Sequence, residues 1–213
     1  MMSIALNRSV WLLAGLLSLL LSPARAEPPA VFTAFFDGLR TFRADFTQEV
    51  LDRHGDRVQE GSGEVFIQRP GRFRWNYAEP YTQVILGDGR TLWTYDADLE
   101  QATRKPQEEV LMGTPAVLLS SVEDPAEVFQ IAAVGGEGDI AWVELMPRDP
   151  DSQFEAIHLG FADGMLRRMI LHDSFGQRTD IRFSNTQRNV ELDPGLFRFD
   201  PPPGTDVLGE GGG

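Results

Sequence analysis

Alternation of apolar and polar residues, interrupted at short intervals by turn residues, is the pattern that most restricts this chain. A period of two puts successive side chains on opposite faces of a strand. Phe42, Ala44 and Phe46 alternate with Arg43 and Asp45, which predicts a half-buried strand; His54-Gly55-Asp56 then marks a turn. A long strand is expected over 58–69, with Val65 and Ile67 on one face and Glu64 and Gln68 on the other. Pro70-Gly71 breaks it, and Phe73, Trp75 and Tyr77 then oppose Arg72, Arg74 and Asn76. Residues 82–86 and 91–95 read as a hairpin around Gly87-Asp88-Gly89, and 101–105 as a further strand. The second half repeats the pattern over 129–134, 140–146, 154–161, 165–172 and 177–187. A last strand is expected near 196–199, before Pro201-Pro202-Pro203. About eleven strands, mostly hairpin-linked, imply one antiparallel sheet, curled because a flat sheet of that width is unusual.

Helical patterns are few. Residues 30–39 carry Val31, Phe35 and Leu39 at four-residue spacing. Residues 112–121 contain Thr114-Pro115, an N-cap followed by proline at the first helical position, then Val117, Leu118 and Leu119. A short turn fits near 124–129. These segments are too small for a domain of their own and are expected to cover one opening of the sheet. The fold class expected is mainly β (α+β), a curled antiparallel sheet with a cover of short helices.

Residues 1–26 read as a secretory signal: Arg8, a 12-residue apolar run over 10–21, and the cleavage pattern Ala24-Arg25-Ala26. The rival reading is a membrane anchor, but spanning takes roughly 20 apolar residues. One domain, 27–213, is then expected to remain. The chain has no cysteine, which excludes disulfides, thiolate metal sites and a lipid-modified cysteine. Export without cysteine fits a soluble periplasmic protein. The net charge of −13 argues against nucleic acid and against docking to anionic lipid.

Catalytic signatures are missing. Gly61-Ser62-Gly63 lies in a strand pattern, not at a strand-to-helix elbow. His158 and His172 lie on neighbouring strands and are within reach of each other, but a zinc site needs further ligands. Asp96 and Asp98 lack the rest of a calcium ligand ladder and suit a turn. No nucleotide-binding loop is present. No cofactor, metal or enzymatic activity is therefore expected. The first half is rich in aromatic residues, among them Phe46, Phe73, Trp75 and Trp93. They either fill a core or line a gap able to bind an apolar ligand.

The ordered set of motifs is more specific. It runs Phe42-x-Ala44-x-Phe46-x-Gln48, Gly61-x-Gly63, then Arg69-Pro70-Gly71-x-Phe73-x-Trp75-x-Tyr77-x-x-Pro80. Asp88-Gly89-x-Thr91-Leu92-Trp93-x-Tyr95-Asp96, Gly113-Thr114-Pro115 and Phe197-x-Phe199-x-Pro201-Pro202 follow. This set closely resembles the LolA family of periplasmic lipoprotein carriers, across essentially the whole chain after residue 26. The resemblance implies an unclosed antiparallel barrel, capped by helices, around a hydrophobic cavity. It implies acylated lipoproteins as cargo, taken from an inner-membrane ABC transporter and delivered to an outer-membrane lipoprotein receptor. A monomer is expected. Phe46, Val65, Ile67, Phe73, Trp75 and Trp93 are the expected acyl-chain contacts. Arg69 matches the family's arginine that hydrogen-bonds lid carbonyls in the closed state, with Phe36, Leu119 and Ser120 at the receiving lid positions. Phe73 matches a position linked with cargo handover. A same-fold carrier of another lipid, and a lipid esterase, stand as alternatives.

Overall fold

Two meanders share one sheet because their first and last strands pair. In the computed structural model, which describes residues 28–107, 115–121 and 124–209, the first meander has six strands. These are β1 (Thr41–Leu51), β2 (Arg57–Gln68), β3 (Arg72–Glu79), β4 (Gln83–Asp88), β5 (Thr91–Asp96) and β6 (Gln101–Pro106). The second comprises β7 (Phe129–Glu137), β8 (Ile140–Pro147), β9 (Phe154–Ala162), β10 (Met165–Asp173) and β11 (Arg178–Arg188). Pairing of β1 with β11, Phe46 opposite Phe183, joins the two meanders. A final strand, β12 (Asp206–Leu208), gives the order β12-β6-β5-β4-β3-β2-β1-β11-β10-β9-β8-β7. The two margins, β12 and β7, do not pair with each other, so the barrel is incomplete. Among the described residues three short helices accompany the sheet: α1 (Ala30–Phe36), α2 (Pro115–Ser120) and α3 (Pro125–Val128). The expected signal segment and the Thr114 cap lie outside the described residues.

One expectation about the C-terminal region needs correction. Twelve strands form among the described residues, in line with about eleven expected, but residues 196–199 are not one of them. Asp193 Oδ1 accepts a hydrogen bond from Gly195 N, and Pro194 follows the cap, which winds Pro194–Phe197 into a 3-10 turn. The alternation of Phe197 and Phe199 is real, but it packs these rings onto the sheet instead of pairing their backbone. Phe199 lies against Trp93 and Tyr95, with centroids 5.2 and 5.5 Å apart. The strand that does form, β12, runs parallel to β6 and has only three residues, too few to show a period. Gly87, expected in a turn, belongs to β4 and sits opposite Phe73.

One face of the sheet forms a single apolar cluster. Phe42, Ala44 and Phe46 of β1 join Val65 and Ile67 of β2, Phe73 and Trp75 of β3, and Leu92 of β5. From the other meander come Val143, Leu145, Ile157, Leu159, Phe161, Met169, Ile181 and Phe183 among others. Curling is visible in one side chain. β1 and β9 are three ladder spacings apart, about 14 Å at roughly 4.8 Å per strand. Yet the Phe35 ring of α1 contacts both Phe42 of β1, at 5.9 Å, and Phe161 of β9, at 5.4 Å. The sheet therefore wraps around α1. The chain leaves β6, next to one margin, and re-enters at β7, the other margin; between them α2 puts Leu118 and Leu119 into the same cluster.

The outer face carries charged side chains between apolar ones, and the most buried of these charges is Asp180. Arg168 holds it through two bonds, Nε to Oδ1 at 2.9 Å and Nη2 to Oδ2 at 2.5 Å, while Arg178 adds a third at 3.0 Å. Burial pushes the carboxyl up, but the Arg168 hydrogen bond and the charges of Arg168, Arg178 and Arg182 outweigh it. The pKa ends below the ordinary value of 3.8. A lowered carboxyl contributes stability that is present above its unfolded value and lost as pH falls through the folded one. Asp180→Asn is thus expected to be less stable than the parent chain at about pH 7, with the gap shrinking towards about pH 3. Urea unfolding at both pH values checks this, and a constant gap contradicts it.

Candidate functional site

The apolar interior and its two covering helices form the site with the strongest chemical character. Of the residues expected to meet acyl chains, the structure brings Phe46, Val65, Ile67, Phe73 and Trp75 together on the inner face. Phe46 stands at 5.1 Å from Trp75 and 5.0 Å, edge-on, from Tyr77; Trp75 in turn meets Phe183 at 6.4 Å. Trp93 does not join them. Leu92, its neighbour in β5, takes the inner position, so Trp93 points outward onto Phe199 and beneath the Arg104 guanidinium. Alternation fixes that Leu92 and Trp93 face opposite ways, but not which of them faces in.

The lid reaches into the curl. Phe32, Phe35 and Phe36 of α1, and Leu118 and Leu119 of α2, are all buried against the sheet. Neither helix is stable alone, since each has at most seven residues. Burial of their apolar side chains, and a few hydrogen bonds from the sheet, hold them.

Those bonds converge at the end of the sheet where β2 turns into β3. Arg69 Nε donates to the Leu119 carbonyl at 2.9 Å, and Nη2 reaches the Leu118 carbonyl at 3.5 Å. The guanidinium also lies 5.3 Å from the centre of the Phe36 ring, a cation–π contact that ties α2 to α1. No carboxylate lies within ion-pair distance of Arg69 among the described residues. Burial lowers its pKa, without approaching loss of the charge. The Ser120 carbonyl accepts from Gly71 N at 2.8 Å rather than from Arg69.

Two further residues carry no signal in the local sequence. Gln107, 3% exposed, donates from Nε2 to the Gly71 carbonyl at 2.7 Å and accepts from Gly89 N at Oε1 at 3.0 Å. It locks together the two turns beside α2. Arg188, at the end of β11, does for α1 what Arg69 does for α2. Its Nη1 donates to the Ala34 carbonyl at 3.0 Å, its Nη2 donates to the Asp37 carbonyl, and its charge sits 5.8 Å from the Phe35 ring centre. Asn189 adds a bond from Nδ2 to the Gly38 carbonyl at 3.0 Å. No local motif marks Arg188, because its partners lie more than 150 positions away in the chain.

Elsewhere, His158 and His172 do meet, with ring centroids 5.3 Å apart, and His158 Nε2 reaches Glu144 at 3.2 Å. Among the described residues no group of three or more His, Asp or Glu side chains is arranged to hold a metal ion. Nor is any described helix long and apolar enough to cross a membrane.

Comparison with known proteins gives matches over most of the chain. The family described as outer membrane lipoprotein carrier protein LolA matches residues 37–200. An outer-membrane lipoprotein carrier protein of Nitrosospira multiformis is 45% identical over 178 residues, covering 83% of this chain and 86% of the relative. Its counterpart in Nitrosomonas europaea is 38% identical over 204 residues, covering 95% and 99%. Among solved structures, an uncharacterized conserved protein from Thermus thermophilus shares the fold, with a TM-score of 0.51 at 15% identity, over 84% of this chain and 96% of that one.

Proposed function

The chain belongs to the LolA family of outer membrane lipoprotein carrier proteins, and from that premise we propose how its interior holds and releases cargo. It is a carrier, not an enzyme. Its cargo is acylated lipoprotein. The acyl chains replace α1 and α2 against the inner face, meeting Phe46, Val65, Ile67, Phe73 and Trp75. The observation that carries this reading is that a continuous apolar cluster on one sheet face is covered by two short helices pinned through their backbone carbonyls. Such a cover can leave without exposing a severed strand.

The energetics require a cover of this kind. One chain of roughly 16 carbons loses on the order of 12 kcal/mol on exposure to water, at about 0.8 kcal/mol per CH₂. An open, empty hollow of the same lining would retain cargo too strongly to release it. Here the empty state already satisfies the inner face with the phenylalanines of α1 and the leucines of α2. Opening offsets part of the gain from cargo burial, so affinity is moderated by the closed state's own stability. Arg69 and Arg188 set that stability. The chain has no ATP-binding loop, so an inner-membrane ABC transporter supplies the energy of loading. An outer-membrane lipoprotein receptor accepts the cargo. The journey is periplasmic, residues 1–26 acting as the export signal of a monomer.

The direct test is whether the purified chain keeps a synthetic triacylated lipopeptide in solution at a fixed stoichiometry. Failure to do so refutes the reading. Arg69→Leu removes the bonds to Leu118 and Leu119 and the contact with Phe36. A charge-assisted hydrogen bond contributes about 1.5–3 kcal/mol, so the closed state is expected to lose about tenfold or more in population. The variant should load normally and hand over to the receptor at least about tenfold more slowly. Transfer at the parent rate would show that Arg69 does not hold the lid.

A further inference from the structure

Beside the turn that carries Arg69, a groove crosses the outer face with an uncommon charge balance. One part, about 370 Å³, is lined by Gln68, Arg69, Pro70, Arg72, Asp88, Gly89 and Arg90. It continues into a part of about 480 Å³ that shares Arg72, Asp88 and Arg90 and extends to Trp93, Phe199 and Arg198. The chain carries 32 acidic side chains against 19 Lys and Arg, so a free arginine is not expected by default. Yet the side chains of Arg72, Arg90 and Arg198 are exposed and have no carboxylate within 4.0 Å among the described residues. Two acids line the groove: Asp88, whose Oδ1 accepts from the backbone N–H of Arg90 and Thr91, both at 2.8 Å, and the exposed Asp200, which forms no ion pair with these arginines. Elsewhere Arg43, Arg57, Arg168 and Arg178 are paired with carboxylates, and Arg53, Arg148 and Arg167, which are not, bond to His54, the Ala126 carbonyl and Thr186; among the described residues Arg40 alone lies apart, so the groove is where such side chains cluster.

We infer that this groove is a docking site for an acidic segment of a partner protein, read by Arg72, Arg90 and Arg198 with its apolar side chains on Trp93 and Phe199. The inference extends the carrier reading, because a carrier must be recognised by whatever loads or unloads it. Arginine forks favour carboxylates through paired hydrogen bonds, and the aromatic shelf suits the side chains between them. A membrane is the weaker occupant. The arginines lie in a recess between the C-terminal segment and the ends of β3–β5, and a chain of net charge −13 is repelled by an anionic bilayer as a whole. A peptide enters the recess; a flat surface does not. Position adds a consequence: Arg69 and Pro70 line one end, so an occupant there touches the turn that secures α2.

The test uses the empty full chain and a fluorescent peptide of alternating glutamate and leucine, with glutamine replacing glutamate in a control peptide. The acidic peptide should bind saturably and the glutamine peptide should not. Arg72→Ala, Arg90→Ala and Arg198→Ala combined should weaken binding at least about tenfold, and Arg90→Glu alone by several-fold. Removing the same three charges elsewhere, through Arg43→Ala, Arg53→Ala and Arg57→Ala, should leave it within about twofold. Lipopeptide uptake by the first triple variant should stay at the parent level, which separates this inference from the carrier reading. Absence of saturable binding, or equal weakening in both triple variants, overturns the inference. So does binding to phosphatidylglycerol vesicles that needs the three arginines while the peptide does not bind.

Discussion

Phe73→Glu is expected to abolish uptake of acylated cargo and to lower the unfolding midpoint sharply. Phe73 is 1% exposed, opposite Ile67 of β2 and Gly87 of β4. Its ring fills the position a side chain at residue 87 would need: a Cβ on Gly87 would lie 2.4 Å from it. Deleting a buried phenylalanine costs about 3–5 kcal/mol, and burying a carboxylate adds to that. Two companions separate lining from folding. Phe73→Leu keeps an apolar side chain and should retain uptake, at a cost of about 1.5 kcal/mol or less if the site repacks. Trp93→Glu places the same charge on the outer face, so it should lose stability yet still take up cargo. Uptake is compared at a temperature where circular dichroism shows all three variants folded. Uptake by Phe73→Glu, or its loss in Trp93→Glu alone, would reverse the assignment of inner and outer faces.

Gly63→Ala should be the most damaging single methyl group in the described chain among the strand glycines. A Cβ there would stand 1.8 Å from the Asn76 carbonyl oxygen and 2.8 Å from its carbon, both backbone atoms of β3. Neither can swing aside, so β2 and β3 must separate at the irregularity between Ser62 and Gly63. A loss of about 3 kcal/mol or more is expected in chemical unfolding. Gly61→Ala is the natural comparison. Its Cβ would meet chiefly the Tyr77 ring, at 3.1 Å, and a ring can move by the few tenths of an ångström required. Equal losses from the two substitutions would mean that the close strand approach is not what residue 63 provides.

These two glycines show how far the sequence is informative. The pair Gly61-x-Gly63 is visible as a motif, but only the register reveals that one position is obligatory and the other is not. Strand existence is legible because alternation is a local property; β1–β11 lie where Phe42, Val65, Phe73 and their successors alternate. Face assignment is less legible. In β5 the larger rings, Trp93 and Tyr95, suggest the interior, whereas Phe199, a hundred residues on, covers them from outside. The C-terminal alternation of Phe197 and Phe199 reads as a strand, since a side-chain pattern does not say whether the backbone pairs or merely packs. Arg69 is marked by its neighbours Pro70 and Gly71, so the motif leads to it. Arg188 has no such neighbours, and its bonds to Ala34 and Asp37 exist only after β11 has closed on β1.

The unpaired margins, β12 and β7, have a mechanical consequence. A fully hooped barrel has a girth fixed by its strand number and shear, and swelling it means tearing a ladder of backbone bonds. Here the seam carries no such ladder. Widening this wall at the seam would therefore break no ladder between β12 and β7.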